Sequence, residues 1–103
     1  ESRDVHDPAA WEGKILCSDP ERKAMDLVRQ WGFNDAFRMF HEDGGHYSWW
    51  DYRTGAWQRN DGLRIDHIWI TEPLVSRNVR TWIDLEPRTW EKPSDHAPTI
   101  TEF

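Results

Sequence analysis

Cysteine is all but missing from this sequence: Cys17 stands alone, which excludes an internal disulfide and a cysteine-based zinc site. That usage fits a reducing, cytoplasmic setting. No apolar run reaches the length needed to span a membrane. The opening residues Glu1-Ser2-Arg3-Asp4 are polar and acidic, so neither a secretory signal nor an amphipathic transit peptide is expected there. Positive charge is also in short supply, with 13 Lys and Arg against 19 Asp and Glu and a net charge of -6. This balance argues against nucleic-acid binding through bulk electrostatics. A localised cleft can still be basic. Internal repeats, low-complexity tracts and linker-like stretches are absent. At 103 residues the chain is one domain or less, with a modest core.

Tryptophan, by contrast, is abundant, with eight in the chain. Most are expected in the core, because the indole buries a large apolar area. One or two could instead stack on a base or line a sugar pocket.

Local signals place helices first and strands after. Residues 1–17 carry Asp7-Pro8 and Gly13 and no clean period, so an irregular surface segment is expected. Ser18 and Glu21 form a capping box, and Pro20 sits in the first turn, where its missing N–H costs nothing. Ala24, Leu27, Val28 and Trp31 then repeat at helical spacing until Gly32. A second short helix is expected from Asn34 through Phe40, closed by Asp43-Gly44-Gly45. Strands are expected at His46 to Tyr52, Leu63 to Thr71, Val79 to Leu85 and Pro98 to Phe103. Asn60-Asp61-Gly62 reads as a tight hairpin turn. Trp69, Trp82 and the isoleucines suggest strands buried on both faces. Two short helices cover only one face of a sheet. A second layer is therefore missing, so the chain either dimerises through the open face or is part of a larger fold.

Two constellations carry possible chemistry. Ser94-Asp95-His96 lies in a loop between Pro93 and Pro98. As a bare tripeptide it fits a turn in which Ser94 and Asp95 bond to nearby backbone, and it also fits a site that holds a cation or transfers a proton. Asp66 shares strand parity with Arg64, Ile68 and Ile70, on a face with apolar neighbours. A carboxylate there needs a partner. Arg64 would make a structural ion pair, whereas a histidine from a neighbouring strand end would be held in one tautomer. The two fit equally well. His6, His41, His46 and His67 show no metal-ligand spacing and read as surface or packing residues. Cys17 has no activating neighbour and reads as inert.

Three ordered motifs then resemble a known family: Ser48-Trp49-Trp50-Asp51-Tyr52-Arg53, Gly62-Leu63-Arg64-Ile65-Asp66, and Glu91-Lys92-Pro93-Ser94-Asp95-His96-Ala97-Pro98. With the leader Asp4 to Gly13, they are similar to the carboxy-terminal part of exonuclease III-type abasic-site endonucleases, in the endonuclease/exonuclease/phosphatase superfamily. The resemblance implies an α/β fold, here a partial four-layer α/β/β/α sandwich, with residues 1–103 as its carboxy-terminal part. It implies that the principal metal-binding glutamate, the catalytic tyrosine and an Asp-x-Asn pair lie in an amino-terminal half absent from these residues.

By the same resemblance, His96 contacts the scissile phosphate or serves as general base, Asp66 orients His96, and Asp95 lies by the metal. Trp49, Leu63 and Ile65 line the pocket for an extruded abasic sugar. Magnesium (or manganese) is the implied cofactor. Duplex DNA with abasic sites or 3′ ends is the implied partner, beside the missing half of the enzyme and possible self-association of the fragment; no membrane is involved. The activity implied for the full-length protein is abasic-site cleavage with 3′-to-5′ exonuclease action, the fragment alone being inactive. A phosphatase of the same superfamily and a non-catalytic folding or docking module are the rival readings.

Overall fold

The computed structural model describes residues 1–103. A short helix α1 (Pro8–Trp11) precedes the long helix α2 (Asp19–Gln30). Two more single-turn helices follow, α3 (Ala56–Arg59) and α4 (Glu72–Val75). The strands are β1 (Asn34–Asp35), β2 (Trp69–Ile70), β3 (Arg80–Ile83) and β4 (Thr99–Glu102). β1 pairs antiparallel with β2, and β3 with β4. The chain is thus a small α/β unit built on short antiparallel sheets, with the longest helix ahead of the strands and further helical turns between them.

Helix α2 starts where its cap dictates. Ser18 Oγ accepts the Glu21 N–H, and the Glu21 carboxylate returns to the Ser18 N–H, so two otherwise orphaned donors are satisfied together. Gly32, at φ 101°, ends it. The segment before it is more regular than its composition suggests: Asp7 caps α1 by accepting the Ala10 N–H.

Four sequence expectations need correction. The second helix does not begin at Asn34. Asn34 and Asp35 lie opposite Ile70 and Trp69 as strand β1, and only Phe37–Met39 makes a helical turn. The Asp35 carboxylate accepts the Phe37 N–H and also binds Arg64, which holds this stretch extended. Nor do residues 60–62 form a hairpin turn. Asn60 closes α3 in the left-handed region, and Gly62 is needed for its missing side chain. A Cβ there would lie 2.6 Å from both Trp50 Nε1 and Tyr47 Cβ.

Finally, Leu63 to Thr71 is not one strand. Leu63 bridges both Val5 and Trp49, and Trp49 bridges His96 in turn. Regular pairing resumes only at Trp69. The break has a local cause. The Leu63 carbonyl accepts both the Ser48 and Trp49 N–H groups, the Arg64 N–H goes to the Asp4 carbonyl, and Ile65 N and Asp66 N both go to Ser48 Oγ at 3.0 Å each. A serine hydroxyl stands in for the carbonyl that a continuing ladder would offer. The same mismatch confines the expected strand from His46 to Tyr52 to a bridge at Trp49.

Only 16 residues are buried, so the core is thin and divided. Val5, Cys17 and Leu63 form one cluster, with Trp11, Trp49 and Ile65 packed against it. Trp50, Ala56 and Ala97 form the other, flanked by Tyr47, Trp57 and Ile83. Leu63 and Ile70 are enclosed; Val79, Leu85 and above all Trp31 (87% exposed) and Leu27 (63%) are not. The apolar stripe of α2 therefore faces away from this core. No helix is long and apolar enough to cross a membrane.

Candidate active site

The site forms where three chain segments meet at their bridges. Leu63, Trp49 and His96 lie side by side. Further bonds fix the register: Trp50 N donates to the Asp95 carbonyl at 3.1 Å, and Ala97 N to the Ser48 carbonyl at 2.8 Å. These bonds carry Ser94-Asp95-His96 onto the edge that Asp66 reaches from the other side.

Asp66 Oδ2 lies 2.7 Å from His96 Nδ1. A carboxylate only accepts, so Nδ1 carries the proton and Nε2 is left free. Of the two partners open to Asp66, the histidine is therefore the one it takes. Arg64 turns the opposite way, donating to Asp4 Oδ1 at 2.7 Å and to Asp35. Arg38 joins the same Asp4 carboxylate. Burial by itself would raise the Asp4 pKa, but the Arg64 hydrogen bond and charge, then the Glu1 amine and Arg38, hold it well below the usual carboxylate range. Arg64 also donates its N–H to the Asp4 carbonyl. The base of the Asp66 segment is thus clamped through buried charge, while Ser48 Oγ clamps its tip.

Next to it, His67 Nε2 contacts the Arg64 carbonyl at 3.2 Å. Burial, then the Arg64 charge, lowers the His67 pKa. This histidine is a packing residue, as its spacing suggested. His41 stacks on Phe37 and His46 meets the same ring edge-on, and His6 Nδ1 meets the Gly62 carbonyl.

Asp95 flanks the free edge of His96. Its Oδ1 stands 3.9 Å from His96 Nε2, and its Oδ2 accepts the Trp49 indole N–H at 3.1 Å. Trp49 in turn meets Trp11 edge to face. Trp49 and Ile65 are half-buried on the cluster that contains Leu63, which is itself 1% exposed. No three His, Cys, Asp or Glu side chains in the chain are arranged so that they could hold a metal ion. Magnesium asks for near-octahedral oxygen ligation. Asp95 alone does not supply it, so these residues by themselves do not make a divalent-cation site.

The sequence reading missed two supports of this site. Ser48 lies inside the first motif with no role of its own there, although a serine one step before a bridging strand residue is placed to cap open N–H groups. Arg88 carried no signal at all. It lies in the turn Glu86–Thr89 and donates to the Ser94 carbonyl.

A half-buried histidine held by a carboxylate, with a second carboxylate alongside and one ring nitrogen free, is an arrangement that suits acid–base chemistry. The chain belongs to the Endonuclease/Exonuclease/phosphatase family, whose model matches residues 6–96. It is 40% identical over 92 residues to Exodeoxyribonuclease III of Haemophilus influenzae, covering 88% of this chain and 34% of that protein. Among solved structures it resembles the 3′ phosphatase NExo from Neisseria bound to product DNA hairpin, at TM-score 0.96 and 41% identity over all of this chain. It also resembles an AP endonuclease from Archaeoglobus fulgidus, at TM-score 0.91 and 38% identity, again over all of this chain. In both cases 40% of the neighbour is covered. The chain spans about a third of the length of the curated relatives it matches.

Proposed function

We propose that this chain is the carboxy-terminal part, residues 1–103, of a DNA-repair phosphodiesterase that cleaves at abasic sites and trims 3′ ends. The observation that carries the proposal is the Asp66–His96 hydrogen bond of 2.7 Å, with Asp95 on the free side of the ring. Hydrolysis of a phosphodiester needs an oriented water, an in-line leaving oxygen and neutralised phosphate charge. In this proposal Asp66 orients His96, and His96 Nε2 meets a phosphate oxygen or takes a proton from the attacking water. Asp95 stands beside both.

The full-length protein is assigned a divalent cation, magnesium or manganese, which when bound neutralises phosphate charge; Asp95 is this chain's contribution to it. Trp49 and Ile65 are the reachable wall of the sugar pocket, and Leu63 is the floor on which they pack. An abasic nucleotide has no base to unstack and so is cheap to extrude. Duplex DNA is the proposed substrate, in line with the DNA bound by the Neisseria neighbour. The complete architecture is proposed to be a four-layer α/β/β/α sandwich. Its remaining layers, or a second copy of this chain when it is alone, would cover the apolar stripe at Leu27 and Trp31.

The test uses the full-length protein on duplex oligonucleotides containing one abasic site, with magnesium. Cleavage at that site and stepwise shortening from 3′ ends, both reduced to a small residual rate in His96→Ala, are expected. Hydrolysis of small phosphomonoesters with abasic DNA left intact would move the protein to the phosphatase branch of the family.

A further inference from the structure

We propose that Arg88 is a positioning residue for His96, holding the Ser94-Asp95-His96 loop through the Ser94 carbonyl. The inference rests on the reading of His96 as the working side chain and adds a residue to which that reading gives no part.

Arg88 is only 5% exposed, and a guanidinium is costly to bury unless paired. The other deeply buried arginine, Arg64, has two carboxylates. Arg88 has none. Its Nε also lacks any hydrogen-bond partner. What replaces a counter-ion is an aromatic cage, with Trp57 4.9 Å, Trp50 5.5 Å and Tyr52 6.0 Å from the guanidinium carbon. Cation–π attraction is strongest where the cation is desolvated. Out of this cage Nη1 donates to the Ser94 carbonyl at 2.5 Å, a charge-assisted bond. A buried cation with an unmet donor, aimed at one backbone oxygen, calls for a reason.

The loop supplies that reason. Lys92 enters it at φ 50°, a left-handed conformation that a non-glycine residue keeps only when its surroundings hold it. After Lys92, Tyr52 Oη donates to the Pro93 carbonyl, Arg88 to Ser94, and Trp50 N to Asp95. Ser94 Oγ then accepts the His96 N–H at 3.1 Å. Ser94 is itself exposed, so Arg88 fixes one end of the peptide that sets the His96 backbone. A lysine could not do this. Its ammonium is a compact point charge, whereas the planar fork can lie among rings and still donate along its edge.

The test compares Arg88→Met and Arg88→Lys in the full-length protein. Cleavage of abasic DNA should lose about 10- to 100-fold in kcat with KM nearly unchanged, the scale of a small misplacement of a reacting group. In a His96→Ala background Arg88→Met should cost nothing further, whereas a general loss of stability would multiply with it. A second readout does not depend on activity. Amide exchange at Trp50 and Ala97 should quicken in both variants while the β3–β4 amides stay protected. If Arg88→Met unfolds β3–β4 as well, Arg88→Lys, which keeps the charge, decides. If the parent cleaves no abasic DNA, only the functional reading falls, and the exchange result decides the role of Arg88. Unchanged exchange at Trp50 and Ala97 in a folded variant, or losses that multiply with His96→Ala, overturns the proposal.

Discussion

Asp66 and His96, 30 residues apart, share a 2.7 Å hydrogen bond, while Arg64, only two residues from Asp66, turns to Asp4 and Asp35 instead. The segment is split between two tasks: Arg64 secures it in the core, and Asp66 is left for the histidine. Asp66→Asn keeps the shape but can present an N–H to Nδ1, which favours the wrong tautomer. In the full-length protein kcat for abasic-site cleavage is expected to fall about 10²- to 10⁴-fold, with KM and stability changed much less. Steady-state kinetics and a denaturant titration check this together. Wild-type turnover in Asp66→Asn would remove Asp66 from the mechanism.

Ser48 is fully buried and its hydroxyl accepts two backbone N–H groups. Ser48→Ala leaves both donors without a partner, at about 1–3 kcal/mol each. Ser48→Thr keeps the oxygen. We expect Ala to lower the unfolding free energy of the full-length protein by about 2–4 kcal/mol and Thr to recover part of it. Equal denaturation midpoints for Ser48→Ala and wild type would mean that water or a backbone shift replaces the hydroxyl.

This arrangement also shows what was legible in the sequence. Helix α2 was readable from Ser18 to Gly32 because its signals are local. Strands β3 and β4 were readable to within a residue or two of their ends, because both are rich in β-branched residues. Asp66 and His96 stood out as polar residues in demanding places, and the motifs around them marked the family. Leu63 to Thr71 misled because apolar content hides the Ser48 hydroxyl, which stops the ladder from 15 residues upstream of Leu63 in sequence. Asn60-Asp61-Gly62 misled for a similar reason. Its glycine answers to Trp50 and Tyr47 across the fold, and no local turn rule encodes that contact. Arg88 was invisible because its meaning lies in three rings and one carbonyl that only the fold assembles.

Gly62 offers a direct check on that close approach. Gly62→Ala drives a methyl group against the Tyr47 side chain and the Trp50 indole, which donates to Asn60 at 3.1 Å. Overpacking of this kind costs about 1–3 kcal/mol. A thermal melt should show the loss, and tryptophan fluorescence should report a moved Trp50. An unchanged melt would mean that the two rings are free to retreat.

The acid limb of stability should belong in part to Asp4. Its folded pKa is held well below normal, because the Arg64 hydrogen bond and charge outweigh the burial that would raise it. In the unfolded chain the same group titrates near about 4. Between those two values the unfolded state binds a proton that the folded state refuses, so stability rises with pH. The contribution is complete above about pH 5 and is lost as the pH falls through the folded pKa. Asp4→Asn should therefore flatten the dependence of unfolding free energy on pH below about 4. At neutral pH it should cost about 3–5 kcal/mol, because Arg64 and Arg38 lose the carboxylate they share in a nearly dry site. Denaturant titrations of both proteins between about pH 3 and 7 give the two slopes. Identical slopes would show that the acid sensitivity resides in other carboxylates and that Arg64 is satisfied by Asp35 alone.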